Sequence, residues 1–177
     1  MQFNNRFNKK TKGFTLMEVL IVLLIGAVIM VLVTPRIAKL FGRSETTFET
    51  QNIVDLISNI KGMRDQGSYG ASGTNLIPQL IANDGLPDSL NVNSGVVTNT
   101  WGGAVTAVST GIGFTLSYAA PMPQAACVAI ATKMSNSTIN TTKINGGSAV
   151  TGRVSQAQAT ADCAASTANT IVFTSVN

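Results

Sequence analysis

The feature that most constrains this chain is an apolar run near its N-terminus, residues 14–33. At about 1.5 Å rise per residue, a helix of that length spans roughly 30 Å, which is the thickness of a bilayer core. A secretory signal peptide has a shorter apolar core, about 7–15 residues, followed by an Ala-x-Ala-like cleavage site. Here Thr34-Pro35-Arg36 follows instead. The sequence therefore predicts a transmembrane helix that is retained.

One carboxylate, Glu18, lies inside this run. A charged side chain in hydrocarbon costs about 2.5–3.5 kcal/mol at the centre of a span, and somewhat less near its end. A carboxylate kept there indicates a function. An α-amino group exposed at Phe14 would be cationic at neutral pH and could neutralise a desolvated carboxylate. The alternative is an ordinary signal anchor whose Glu18 only extends to the membrane surface.

The positive charge of the chain is confined to its first residues. Of its 12 Lys and Arg residues, Arg6, Lys9, Lys10 and Lys12 precede Gly13, which leaves eight basic residues against eight acidic ones. The remainder is formally neutral and shows no basic face of the kind that binds phosphate backbones. We expect the charge to be part of a targeting signal, and we expect no nucleic-acid binding.

Composition argues against catalysis. The chain has no histidine, so the commonest general base and the commonest zinc ligand are missing, and its acidic residues show no paired spacing. No catalytic residue, metal site or cofactor is predicted. The two cysteines, Cys127 and Cys163, favour one disulfide in an oxidising compartment. Two unrelated buried thiols are the alternative.

The segment GFTLMEVL, residues 13–20, follows a short basic leader. It closely resembles the cleavage and methylation motif of type IV pilins and related pseudopilins. The resemblance implies that a prepilin peptidase of the inner membrane cuts between Gly13 and Phe14 and then N-methylates Phe14. Glu18 matches the family's glutamate, which is associated with methylation and with docking of a new subunit into the filament.

Gly26 and Pro35 mark a weak section of the predicted helix, because glycine costs about 1 kcal/mol relative to alanine and proline removes a backbone hydrogen bond. In filaments of the resembled family such a stretch can lose helical order outside the bilayer, so we expect local melting here. The alternative is a straight membrane helix that tolerates both residues.

Residues 36–66 read as an amphipathic continuation of this helix, whose apolar stripe changes faces. The lower stripe is expected to contact other subunits and the upper stripe to lie under a globular domain. The lower members are Ile37, Leu40, Phe41 and Phe48; the upper members are Ile53, Leu56, Ile57, Ile60 and Met63.

The remaining residues, 67–177, are rich in Gly, Ser, Thr, Asn and Ala, with short β-favouring runs between turn residues. They predict a head domain with a small antiparallel sheet, in which the first three runs form a meander. The runs are Val96–Thr98, Ala104–Val108, Phe114–Tyr118 and Ile171–Val176. Short helices are predicted near Ile77–Ala82 and over Ala125–Met134, and a helix or loop around Cys163.

This layout resembles the pilin fold, an α+β arrangement of a long N-terminal helix packed on an antiparallel sheet. The resemblance divides the chain into a cleaved leader (1–13), a transmembrane and filament-core helix (14–35), its amphipathic continuation (36–66) and the head (67–177). The head would comprise an αβ-loop, the sheet and a D-region, 127–163, bounded by a Cys127–Cys163 disulfide. The family calls the segment before the sheet the αβ-loop.

Two short segments, NTWGG at 99–103 and NTIVFT at 169–174, are most similar to the type IVb branch, which includes PilS and the toxin-coregulated and bundle-forming pilins. In that branch the C-terminal strand inserts into the sheet. The Phe after the cleavage site and the short leader are more similar to type IVa. Trp101, between glycine-rich neighbours, is expected to anchor a core or loop rather than to bind a ligand.

The resemblance implies a structural subunit, most simply the major pilin. Its partners would be copies of itself, the prepilin peptidase, and an inner-membrane assembly platform with its ATPase. The precursor would wait in the inner membrane with its head in the periplasm, and the mature subunit would form an extracellular filament for adhesion, aggregation, conjugation or a related role. The alternatives are a type II secretion pseudopilin, a minor pilin, and a membrane-anchored periplasmic enzyme or binding module.

Overall fold

A computed structural model describes residues 14–135 and 138–176. The chain divides after Phe41 into two compact units. Helix α1 comprises Leu16–Gly62. The predicted leader, 1–13, lies outside the described residues.

Helix α1 ends at Gly62, four residues before the predicted limit at 66. Residues 65–68 form a tight turn in which the backbones of Asp65 and Ser68 bond to each other at 2.9 and 3.0 Å. Gln66 and Gly67 both have positive φ in this turn, which a helix cannot accommodate. The helical periodicity of the sequence therefore extends beyond the helix itself.

The second unit, which begins at Gly42, contains the sheet and three further helices within the described residues. The elements are α2 (Ile77–Ala82), β1 (Asn91–Asn93), β2 (Val96–Thr98), β3 (Ala104–Ser109), β4 (Gly113–Tyr118), α3 (Gln124–Met134), β5 (Thr141–Ile144), β6 (Val150–Thr151), α4 (Gln156–Asp162) and β7 (Ile171–Val176).

Among the described residues, seven strands form one sheet in the order β1-β2-β3-β4-β7-β5-β6, and every pairing is antiparallel. The predicted meander of β2, β3 and β4 is confirmed. So is the insertion of the C-terminal strand, since β7 lies between β4 and β5. Strands β1, β5 and β6 were not predicted, because they are only two to four residues long and two of the three residues of β1 are Asn, which is depleted in strands.

The upper stripe of α1 lies in the core of this unit. Ile53, Leu56, Ile57 and Ile60 are at most 3% exposed, and they belong to the same apolar cluster as the sheet residues Phe114 and Phe173. Burial of such side chains contributes about 1.5–3 kcal/mol each, so this stripe fixes the upper part of α1 to the sheet. The predicted burial of the upper stripe is confirmed, with Met63 partly buried at its end.

Two glycines permit close backbone approaches at the ends of the central strands. A Cβ on Gly113 would lie 2.1 Å from the Ser175 carbonyl oxygen, and one on Gly103 would lie 2.0 Å from that of Ala119. No side chain fits at either position without moving the backbone. These glycines therefore set how tightly β4 meets β7 and how tightly the 99–103 turn closes.

Candidate functional site

The first candidate site is the apolar helical segment Leu16–Thr34. Its mean hydropathy is 3.1, none of it is buried within the chain, and it is the one stretch among the described residues long and apolar enough to cross a membrane. By length and composition alone, a signal sequence near an N-terminus can also meet these two criteria. Apolar surface on this scale must be covered by lipid or by protein, since its exposure to water is strongly unfavourable.

Glu18 and Thr15 form a capping box at the start of this helix. The Glu18 amide donates to the Thr15 hydroxyl oxygen at 3.3 Å, and the Thr15 amide donates to Glu18 Oε2 at 3.0 Å. The Thr15 hydroxyl also donates to Oε2, at 3.1 Å. The box satisfies backbone donors that the first helical turn leaves without partners.

Sequence reasoning identified Glu18 but missed Thr15. The signal was present as Thr-x-x-Glu at the start of an apolar run, which is the pattern of a capping box. Glu18 Oε1 makes no hydrogen bond within the described part of the chain. One carboxylate oxygen thus closes the helix and the other remains available.

Phe14 lies immediately before the capping box, outside the helix, and is 87% exposed. The predicted cleavage partner, Gly13, falls outside the described residues. Because α1 begins at Leu16, Phe14 and Thr15 are non-helical.

Gly26 and Pro35 both lie within α1, which is assigned as helix through them. Gly26 has no neighbour within 4 Å of where a Cβ would stand. Pro35 has no amide to donate to the carbonyl four residues earlier. Close by, the Thr34 hydroxyl donates to the Met30 carbonyl at 2.6 Å. The melting of this section stays a prediction.

The lower stripe of α1 differs sharply from the buried upper stripe. Phe41 is 65% exposed, Phe48 is 62% exposed, and Ile37 is also exposed. The side chain of Leu40 is outside the described set. The predicted change of face is therefore seen in the members that the structure describes, and it leaves large apolar side chains available to another molecule.

The two cysteines form a disulfide, as predicted. Cys127 in α3 and Cys163 after α4 are bonded, with a Cα–Cα distance of 6.0 Å and a separation of 36 residues. Both are buried. The bond ties α3, which packs in the core, to the segment that leads into β7.

The asparagines of NTWGG and NTIVFT are internal hydrogen-bonding centres. Asn99 Oδ1 accepts the amides of Trp101 at 3.0 Å and Gly103 at 2.8 Å. Asn169 Oδ1 accepts the Ala164 amide at 2.7 Å, while its amide nitrogen donates to the Met122 carbonyl at 2.9 Å. Both motifs therefore stabilise loops. Trp101 is half-buried and packs against the core, which confirms its anchoring role.

Glu49 is a buried carboxylate that sequence reasoning missed. It is fully buried, accepts the Thr100 amide on one oxygen, and accepts the Asn52 side-chain amide on the other at 3.3 Å. Burial, reinforced by this carboxylate's charge, raises the pKa of Tyr118 well above 10. The signal was the position of Glu49, four residues before Ile53 on the apolar stripe. Through the Thr100 amide, Glu49 joins α1 to the 99–103 turn.

No metal-binding cluster is found in the part of the chain that the structure describes. Among residues 14–135 and 138–176, no three His, Cys, Asp or Glu side chains are placed to hold a metal ion.

Comparison with known proteins adds two family matches. A model described as "PilS N terminal" matches residues 43–176, and one described as "Prokaryotic N-terminal methylation motif" matches residues 8–34. No curated protein sequence matches the chain.

Two solved structures from Salmonella typhi are similar to the chain. One is a crystal structure of a type IVb pilin, with 27% identity, a TM-score of 0.63 and coverage of 74% of this chain and 99% of that one. The other is an NMR structure of the type IVb pilin PilS, with 28% identity, a TM-score of 0.49 and coverage of 73% and 94%.

Proposed function

Because the chain belongs to the PilS family of type IVb pilins, we propose that it is the repeating subunit of an extracellular pilus. Members of this family are structural proteins rather than enzymes. The methylation motif implies processing of a precursor and its assembly into a pilus. In this proposal the cut falls between Gly13 and Phe14, and Phe14 receives the N-methyl group.

The observation that carries the proposal is the apolar segment Leu16–Thr34, none of which is buried within the chain. In the precursor, lipid covers this surface and the helix anchors the chain in the inner membrane. In the filament, the same helices of neighbouring copies cover one another. Both states bury the segment, and movement from one to the other therefore needs little net exposure of apolar surface to water.

Glu18 gives this movement its specificity. Cleavage before Phe14 creates an α-amino group with an ordinary pKa of about 7.7–8.0, which is cationic at neutral pH. The free Oε1 of Glu18 on one copy can accept that group from the next, while Oε2 keeps the helix capped. Charge neutralisation in an apolar filament core favours the paired arrangement over either charge alone.

Gly26 and Pro35 serve the packing of the filament. Pro35 leaves one carbonyl of α1 without its amide partner, and Gly26 contributes no side-chain contact. The helix between them can unwind locally once it leaves the bilayer. Unwinding would let the apolar segment adjust its length to its neighbours.

The partners follow from this sequence of events. A prepilin peptidase removes the basic leader, residues 1–13, and an assembly platform with its ATPase extracts the mature subunit into the filament. The heads then form the outer surface of the pilus. Adhesion, aggregation and conjugation are the roles that we propose for that surface.

Electron microscopy of sheared surface filaments, labelled with antibody against residues 67–177, tests the proposal. We expect label along the whole length of the filaments, as for a major subunit. Sparse or terminal label would indicate a minor pilin. A strain that expresses the chain at native level without any surface filament would indicate a pseudopilin and would overturn the proposal.

A further inference from the structure

We propose that the second unit, which contains the head and the upper part of α1, carries two oppositely charged grooves through which one copy of the chain recognises the next. The proposal rests on the proposed function, since it assigns a head-to-head contact within the filament. The partner is a second copy of this chain.

The first groove, here called the acidic groove, is rimmed by Asp55, Asp84 and Asp88 and has a volume of about 660 Å³. It lies between α1 and residues 84–89. The Asn59 side chain donates to the Gly85 carbonyl at 2.8 Å and so holds this loop against the helix. The exposed ring of Phe48 also lines the groove and offers apolar area for contact.

The second groove, here called the basic groove, is rimmed by Lys133 and Arg153 and has a volume of about 1010 Å³. Both of these side chains are exposed. Buried Ile139 and Val154 lie among its lining residues. The Val154 amide donates to the Ser135 hydroxyl at 2.8 Å, which connects its two sides.

These charges have no partners of opposite sign within the described part of the chain. None of the five rim side chains forms an ion pair with a described residue. The second unit, from residue 42 onward, nonetheless holds six Lys or Arg residues and seven Asp or Glu residues. A nearly neutral surface that separates its charges in this way is suited to pairing between molecules.

The two grooves lie on opposite flanks of α1. Asp55 and Asn59 face the acidic groove. Lys61, two residues further on, is rotated by about 200° from Asn59 around the helix axis. Its Nζ donates to the Thr138 carbonyl at 3.4 Å, directly before Ile139 and Asn140 of the basic groove.

The opposite charges of the two grooves determine the symmetry of the contact. Pairing of like grooves would bring equal charges together, which is unfavourable. The acidic groove of one copy therefore meets the basic groove of the next. Such a heterologous contact leaves a free groove at each end and propagates, and an open helical filament is the result when the rotation does not close.

Charge reversal of each groove in the full-length chain tests the proposal. The first variant combines Asp55→Lys, Asp84→Asn and Asp88→Lys; Asn is chosen at residue 84 because φ is +53° there and Asn tolerates that conformation. The second combines Lys133→Glu and Arg153→Glu. Alone, each variant faces like charges across the contact, and the yield of sheared filaments should fall about tenfold or more.

Co-expression of the two variants gives the sharpest result. The first variant then has two basic grooves and the second has two acidic ones, so alternating copies are complementary again. We expect filaments to return, with both variants present in each filament. Matched controls move similar charge elsewhere on exposed positions, as Arg64→Glu with Lys143→Glu and as Asp65→Lys with Asp162→Lys; these should assemble normally.

Neutral variants, measured by filament yield and by its dependence on salt, keep the test decisive if a charge-reversed variant fails to accumulate. The neutral variants, with Asn at the three aspartates or Gln at Lys133 and Arg153, should lower the filament yield less and should weaken its dependence on salt. Normal yields from both reversed variants, or stable and processed variants that fail to co-assemble, would overturn the proposal. Absence of filaments from the unmodified chain would instead contradict the proposed function.

Discussion

The side chains of Thr15 and Glu18 each accept a hydrogen bond from the other residue's backbone amide at the start of α1. The Thr15 amide donates to the Glu18 carboxylate at 3.0 Å, and the Glu18 amide donates to the Thr15 hydroxyl at 3.3 Å. The carboxylate thus has a local role that does not depend on another subunit. The capping hydrogen bonds of Glu18 and its charge are therefore two separate contributions of one side chain.

Glu18→Gln separates these roles. Glutamine can also reach back to the capping amide, so the helix start is kept while the charge is removed. We expect the Glu18→Gln and Glu18→Ala variants to insert into the membrane but to enter filaments poorly. The yield of sheared pili relative to membrane-bound subunit measures this.

Thr15→Ala is the matched control, since it removes the capping hydroxyl and leaves the carboxylate. Loss of an N-cap costs about 1 kcal/mol, so the helix start should fray while assembly largely persists. Normal piliation by Glu18→Gln together with failure of Thr15→Ala would show that the cap, rather than the charge, matters for assembly.

Removal of the disulfide should destabilise the head. The bond between Cys127 and Cys163 closes a loop with a sequence separation of 36, and the chain-entropy relation gives about 4 kcal/mol for that length. The Cys127→Ala/Cys163→Ala variant in detergent should unfold at a lower urea concentration, followed by fluorescence of the single tryptophan, Trp101. Midpoints equal to those of the unmodified chain would contradict this prediction.

Gly103→Ala should destabilise the head by about 3 kcal/mol or more, because the new Cβ would lie 2.0 Å from the Ala119 carbonyl oxygen and the backbone must move. Gly42→Ala is the control, since it lies inside α1 with no neighbour within 4 Å. That change should be neutral or stabilise by up to about 1 kcal/mol. Urea unfolding, monitored by circular dichroism, gives the free energy of unfolding of each variant. Equal changes in the two variants would contradict this prediction.

Tyr118 makes the head sensitive to alkali. Its burial, with the nearby charge of Glu49, raises its pKa well above 10. The folded head therefore retains this proton at a pH at which the unfolded chain has released it. The resulting stability is fully present below about pH 10, the ordinary pKa of tyrosine, and is lost as pH rises beyond it.

Tyr118→Phe should reduce this alkaline loss. The Tyr118 hydroxyl has no hydrogen-bonding partner among the described residues, so its removal should change the stability at neutral pH little. Unfolding midpoints at pH 7 and above pH 10 measure the difference. An unchanged alkaline response would assign the sensitivity to other groups.

The elements with strong local signals were predicted from the sequence. Strands β2 and β7 and helix α2 have the predicted bounds, and β3, β4 and α3 lie within one residue of theirs. Each of these elements is a run of mainly apolar or β-branched residues that is bounded by turn residues. Strands β5 and β6 lack such a signal, because Thr141–Ile144 pairs with β7 only through long-range contacts that no local pattern specifies.

The functional residues divide in the same way. GFTLMEVL is a local pattern, so Phe14 and Glu18 could be identified directly. Thr15 belonged to a pattern that was overlooked. The partnership of Glu49 with the Thr100 amide, 51 residues away, and the opposite flanks of the two charged grooves depend on the folded head. Sequence periodicity alone does not determine them.

The central claim, that the chain is a processed pilus subunit, is tested most directly by mass spectrometry of the mature N-terminus in sheared surface filaments. We expect a chain that begins with N-methyl-Phe14, without residues 1–13. An intact Met1 on the filament-forming chain, or a chain that begins after Val33, would contradict the account, because the cleavage and the apolar helix that it retains are what make Glu18 a docking group.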